Sequence, residues 1–181
     1  MGPMLPRTET AMHALARIHS DSGTRPLPAW AWVACGGVAL GLADLAFAAL
    51  YWFLHSGVAP VRIPQSIAGW VLGPAVARAG GAATALAGAA LYCTVVAAMV
   101  AGYLKLSALR PALHAQVVLS GAMYGLAMYL LLFRLVLPLV APAHAPAPAM
   151  PTSWTIACLA AYAGIGIGCA LVARAKAARD G

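Results

Sequence analysis

WAWVACGGVALGLADLAFAALYWFL (residues 30–54) holds a single charged side chain, Asp44, in a run otherwise made of apolar and small residues. About 20 such residues in a helix that rises ~1.5 Å per residue cross the roughly 30 Å of bilayer hydrocarbon. The nine Leu, Phe and Val residues of the run, at about −0.3 to −0.6 kcal/mol each, offset the ~2.5 to 3.5 kcal/mol that a central Asp costs. The segment therefore inserts with its carboxyl group inside. It is too long for the core of a signal peptide, and so is the charged stretch before it.

Three further runs of the same kind follow at residues 82–106, 115–140 and 154–173. The chain of 181 residues is 63% hydrophobic and 8% charged, whereas a soluble domain carries about 25% charged residues. These numbers exclude a soluble globule. They predict an all-α, polytopic membrane protein with four transmembrane helices in a bundle. The net charge of +7 then concerns which side of the bilayer the cations occupy, with the lipid bilayer as partner and no nucleic acid. Arg7, Arg17, Arg25, Lys105, Arg110, Arg174, Lys176 and Arg179 flank the spans on one side, against Arg62 and Arg78 on the other. That imbalance predicts that both termini are cytoplasmic. Residues 1–28 read as a flexible polar cytoplasmic leader, 29–174 as the membrane domain and 175–181 as a basic cytoplasmic tail. Trp30, Trp32, Tyr51, Trp52, Tyr103 and Trp154 sit near span ends, where amphipathic rings favour the headgroups.

Between the first two spans, GVAPVRIPQSIAGWVLGPAVARAGG (residues 57–81) is apolar, but Pro60, Pro64 and Pro74 break any full span. PQSIAGWVLG (residues 64–73) can form a short interfacial or re-entrant helix, with Ile67, Trp70 and Val71 on one side and Gln65, Ser66 and Gly69 toward another. A structured loop is the alternative. Arg62, Gln65, Ser66 and Trp70 are the candidate residues of this outer-face element. The loop APAHAPAPAMPTS (residues 141–153) has no charged side chain and favours an extended, polyproline-like path outside.

Membrane helices gain no hydrophobic force from meeting one another, so small residues four apart mark where backbones approach. Gly37 and Gly41 supply such a pair in the first span, Gly121 and Gly125 in the third, and Gly164 and Gly168 in the fourth. The second span has the looser series Gly81, Ala85 and Gly88. Asp44 falls on the Gly37 and Gly41 face and points into the bundle. It reads either as a proton or substrate site or as a carboxyl that fixes helix packing through a hydrogen bond. Apart from Lys105 at the very end of the second, Arg134 is the only base inside a span. It either pairs with Asp44 across parallel first and third helices or snorkels to the outer interface beside a kink at Pro138. The four cysteines lie in apolar runs without metal spacing, and His55 and His114 sit at opposite depths, so neither a metal nor a b-type haem is expected. No nucleophile elbow, zinc-protease or phosphate-loop motif occurs.

These residues carry a resemblance. With Asp44, RIPQSIAGWVLG (residues 62–73), GGAATALAG (80–88), YGLAMY (124–129), VLPL (136–139) and a fourth span that ends in Arg174, the chain resembles an uncharacterised family of small four-helix bacterial inner-membrane proteins. The resemblance covers roughly residues 41–174. It adds Tyr92 and Tyr162 to the intramembrane polar candidates, as tyrosines where relatives carry histidine. It implies an architecture and a membrane address, and no reaction. The expected role is an accessory or structural membrane component without catalytic turnover or cofactor, alone, as a homo-oligomer or with a membrane-protein partner. The alternative is a small proton-coupled transporter or exporter using Asp44. An intramembrane enzyme ranks third, since one Asp and one distant Arg make a poor acid/base pair.

Overall fold

The computed structural model describes residues 27–140 and 151–180. The expected flexibility of the leader and the extended path of residues 141–150 lie outside the described residues. Four long helices carry the fold: α1 (Ala29–Ser56), α4 (Gly81–Leu109), α5 (Val117–Leu131) and α6 (Thr152–Asp180). Short helices α2 (Arg62–Leu72) and α3 (Pro74–Ala79) connect α1 to α4, and a 3-10 turn, Pro111–Ala115, connects α4 to α5. No strand occurs among the described residues. Four segments, Ala29–Ser56, Gly81–Leu109, Val117–Leu139 and Thr152–Asp180, are long and apolar enough to cross a membrane. The molecule is a multi-pass, all-helical membrane protein.

Helix ends follow local chemistry. Gly57 ends α1 in the left-handed region at φ 65°, where a residue without Cβ is unstrained. Its N–H donates to the Phe53 carbonyl, and the Val58 N–H donates to that of Trp52. Gly73, at φ 82°, turns the chain from α2 into α3, which Pro74 opens at its first position. The fourth span continues beyond residue 173 to Asp180, so the basic tail is helical through that residue, with Lys176 paired to Asp180 one turn on.

The helices meet where Cβ atoms are missing. Gly37 of α1 lies on Ala97 of α4, and Gly41 lies on Cys93. Gly121 and Gly125 of α5 pack on the α6 backbone at Gly166, Ile167 and Tyr162. In both seams the residue number on one helix falls as the other rises, so the pairs are antiparallel. The fourth span makes its seam with α5 through Gly166; of the expected pair, Gly168 packs on α1 and Gly164 packs on nothing. Gly164 is exposed with open space around it, and Gly168 faces the Leu40 side chain of α1. The reason is helical phase: Tyr162, Gly166, Cys169 and Ala173 share the buried face of α6, and Gly164 is turned well away from it.

The short helix α2 lies against α4. The Pro64 carbonyl occupies the space a side chain at Gly88 would need. Thus Gly88, of the looser small-residue series, receives α2 and not another span. Gln65 is only 3% exposed and donates from Nε2 to the Gly81 carbonyl at 2.8 Å. Ile67 and Ala68 are buried beside it, whereas Val71 is 64% exposed. The faces of α2 therefore differ from the expected ones. Gln65 turns inward with Ile67 because the Gly81 carbonyl, at a helix start whose φ is 57°, offers its amide an acceptor.

The third span has a discontinuity. Pro138 has no N–H to give the Arg134 carbonyl, and Leu132–Val136 immediately before it is π-helical, with the Leu137 N–H donating to the Leu132 carbonyl. An α-helical turn, Leu137–Val140, follows.

The seams predict a sharp contrast between two glycines of this molecule. Gly125→Ala drives a methyl group into the Tyr162 carbonyl and should lower stability in detergent by about 1–3 kcal/mol, the range for overpacking. Gly164→Ala should leave the melting temperature unchanged or raise it. Equal losses in thermal denaturation of the two variants would contradict the assigned seam.

Candidate intramembrane polar site

The α1/α4 register that sets Gly41 on Cys93 brings Asp44, three residues further along α1, to Tyr92. The Tyr92 hydroxyl donates to Asp44 Oδ2. Tyr92 is buried, and Tyr162 of α6 stands beside both groups, itself buried. Cys158, one turn before Tyr162, also neighbours Asp44. The Tyr162 ring continues the cluster into α5, with Tyr129 edge-on at 5.4 Å and Phe133 at 5.8 Å between centroids. Edge-to-face geometry suits the ring quadrupoles. Asp44, Tyr92 and Tyr162, far apart in the sequence, thus converge where α1, α4 and α6 meet.

Arg134 does not join them. It lies in the π-helical turn, exposed, and among the described residues the one salt bridge is Lys176 to Asp180. The cause is the helix arrangement. The third span packs mainly on α6 and is not a substantial neighbour of α1, so parallel direction alone does not bring the two side chains together. Of the two readings offered for Arg134, snorkelling from a lipid-facing position fits its exposure.

In the short helix α2, Arg62 donates to Gln65 Oε1 at 3.1 Å and Ser66 donates to the Ile63 carbonyl at 2.7 Å. Trp70 is half-buried against the core. The Arg62 and Ser66 bonds lie within α2, and of these polar side chains Gln65 alone reaches α4, through the Gly81 carbonyl. At the same end of the bundle, Tyr51, Trp52 and Trp154 cluster, with Tyr51 sharing a 2.7 Å hydrogen bond with Ser153 and stacking on His55. His114 lies at the opposite end, in the 3-10 turn. There Arg179 rests over the Trp32 ring at 5.2 Å, which ties the start of α1 to the end of α6.

A second polar tie escaped the sequence reading. Tyr103, expected at a membrane interface, is 1% exposed, and its hydroxyl shares a 2.7 Å hydrogen bond with Ser120. Tyr124 donates to the Met99 carbonyl at 2.8 Å and meets Tyr103 edge-on. The available signal was the Tyr103, Ser120 and Tyr124 spacing across an antiparallel pair, which needs the helix register before it can be read.

Chemically, the site is a carboxyl group satisfied by a phenol from the next helix. No group of three or more His, Cys, Asp or Glu side chains suited to a metal occurs among the described residues. Comparison with protein-family models, curated proteins and solved structures finds no match.

The Asp44–Tyr92 bond should appear as a coupling energy. In a double-mutant cycle of Asp44→Leu and Tyr92→Phe, thermal or chemical denaturation should give ~0.6–2 kcal/mol, the range of interhelical hydrogen bonds in membranes. The cycle of Asp44→Leu with Arg134→Gln should give none beyond error. Coupling to Arg134 instead of Tyr92 would overturn the site as described.

Proposed function

We propose that the chain is an accessory or structural component of the bacterial inner membrane, with no turnover of its own and with both termini cytoplasmic. The observation that carries this reading is the partner of Asp44. An isolated carboxyl inside a membrane bundle is costly and marks function by default. Here its hydrogen bond goes to a buried tyrosine on the adjacent helix, on the same seam as Gly37 and Gly41. Such a bond fixes register and rotation between two helices. No cation pairs with it among the described residues, and its neighbours are the phenols of Tyr92 and Tyr162 and the Cys158 thiol, groups that are neutral at ordinary pH.

The distribution of Lys and Arg supports the orientation. The start of α1 and the end of α6 lie together through Trp32 and Arg179, and that end also carries Lys105, Arg110, Arg174 and Lys176. Under the positive-inside rule it is the cytoplasmic end. Membership of the four-helix bacterial family remains a proposal that rests on the sequence elements quoted above. The partners that suit such a component are the bilayer, a second copy or another membrane protein.

A structural carboxyl and a coupling carboxyl respond differently to Asp44→Asn, which keeps shape and a hydrogen-bond acceptor but cannot ionise. In proteoliposomes under a pH gradient, wild type and Asp44→Asn should both show the proton leak of protein-free vesicles. Both should also melt together, while Asp44→Leu should lose ~0.6–2 kcal/mol. Proton flux present in wild type and abolished in a stable Asp44→Asn variant would replace this reading with proton-coupled transport. A reporter fused at Lys176 should read cytoplasmic, and a periplasmic signal would reverse the orientation.

A further inference from the structure

Consecutive in the chain, α4 and the third span do not close on one another. Tyr103 and Tyr124 stand between them, edge to face at 5.1 Å. Gly102 gives up its side chain to the Tyr124 hydroxyl, and that hydroxyl is already engaged by the Met99 carbonyl. The two helices are wedged apart by phenol rings, and an open groove runs along the gap. Val95, Ala98, Gly102 and Leu106 line it from α4, and Tyr124 and Met128 from α5. Its volume is about 480 Å³, within the ~300–1,000 Å³ of ordinary ligand clefts. Its one hydroxyl is spent on the Met99 carbonyl, so the walls are almost wholly apolar. The groove opens sideways on a segment long and apolar enough to be lipid-embedded.

One end of the groove has a charge. Ala98 and Lys105 are seven residues apart on α4, so they project in nearly the same direction, two turns apart. The stripe Val95, Ala98 and Gly102 therefore continues into Lys105 as it reaches the membrane surface. Lys105 is exposed and has no carboxylate partner among the described residues. Arg110 follows at the helix end, also exposed, and no acidic residue occurs between residues 105 and 117. An apolar cleft that ends at cations without a carboxylate partner has the complementarity of an anionic phospholipid.

We propose that the groove between α4 and α5 is a binding site for one anionic phospholipid, with an acyl chain along Val95, Ala98, Gly102 and Met128 and the phosphate held by Lys105 with Arg110. The site is independent of the role assigned to Asp44. It requires only that the helices cross a bilayer.

Native mass spectrometry of the full chain, released from detergent containing equal amounts of phosphatidylglycerol and phosphatidylcholine with identical acyl chains, reads the site directly. Wild type should retain one phosphatidylglycerol in preference to phosphatidylcholine. Lys105→Gln should lower that preference about fivefold, which is ~1 kcal/mol at tenfold per 1.4 kcal/mol. Arg174→Gln, a cation lost from a helix that does not line the groove, should leave it unchanged. Ala98→Phe, which fills the groove from an exposed position, should remove both lipid adducts while the melting temperature in lipid-free detergent holds. Equal retention of the two lipids by wild type, an unchanged preference in Lys105→Gln, or undiminished adducts in Ala98→Phe would each overturn the proposal. So would a dimer that Ala98→Phe dissociates, since a second copy would then occupy the groove.

Discussion

Backbone contact at glycine is the constraint on which this bundle depends. Hydrocarbon lipid tails are as apolar as leucine, so burying leucine between helices brings no advantage over leaving it in lipid. What remains is van der Waals contact and hydrogen bonding, and both need helices close together. The chain supplies that closeness at Gly37 and Gly41 against Ala97 and Cys93, at Gly121 and Gly125 against the α6 backbone around Gly166, and at Gly88 against the Pro64 carbonyl. Large side chains such as Leu42, Leu50, Met123 and Leu171 face outward, as expected where the solvent is lipid.

From these seams the remaining architecture follows. Helix α6 packs on α1, α4 and α5, while α5 is held mainly by α6. That asymmetry explains two features at once. It leaves Arg134 and the π-helical turn on a lipid-facing flank, remote from Asp44, and it leaves the gap between α4 and α5 to be spanned by tyrosines. Antiparallel register does the rest, because fixing Gly41 on Cys93 sets Asp44 against Tyr92 without further instruction. A buried polar pair of this kind adds little stability. A register slipped by one turn would leave the carboxyl without this partner.

The sequence was most informative where the bilayer imposes a rule on a single helix. Span number, the short helix after the first span and the inward direction of Asp44 all follow from length, proline positions and the phase of Gly37, Gly41 and Asp44. It was least informative where two helices decide jointly. In GIGIG (residues 164–168), Gly166 lies on a different face from Gly164 and Gly168, and only contact with α5 selects it. Gln65 reads as lying on another side of the short helix from Ile67 because its acceptor, the Gly81 carbonyl, is 16 residues away. Tyr103 looked like an interface aromatic because Ser120 lies on another helix. The separation of Arg134 from Asp44 depends on which helices are neighbours, a property absent from any one span.

The register between α1 and α4 is the central claim, since it creates the Asp44–Tyr92 pair. A Cβ built on Gly41 lies 3.5 Å from the Cys93 Cβ, at the short edge of the ~3.5–4.5 Å separation that disulfides use. In a chain with Cys35, Cys158 and Cys169 changed to Ala, Gly41→Cys should form an intramolecular disulfide with Cys93 on mild oxidation, seen as loss of both thiols to maleimide labelling. Two thiols that remain free, with cross-linking appearing instead when Cys93 is changed to Ala and Ala89 to Cys, would place the helices one turn out of register and contradict the account.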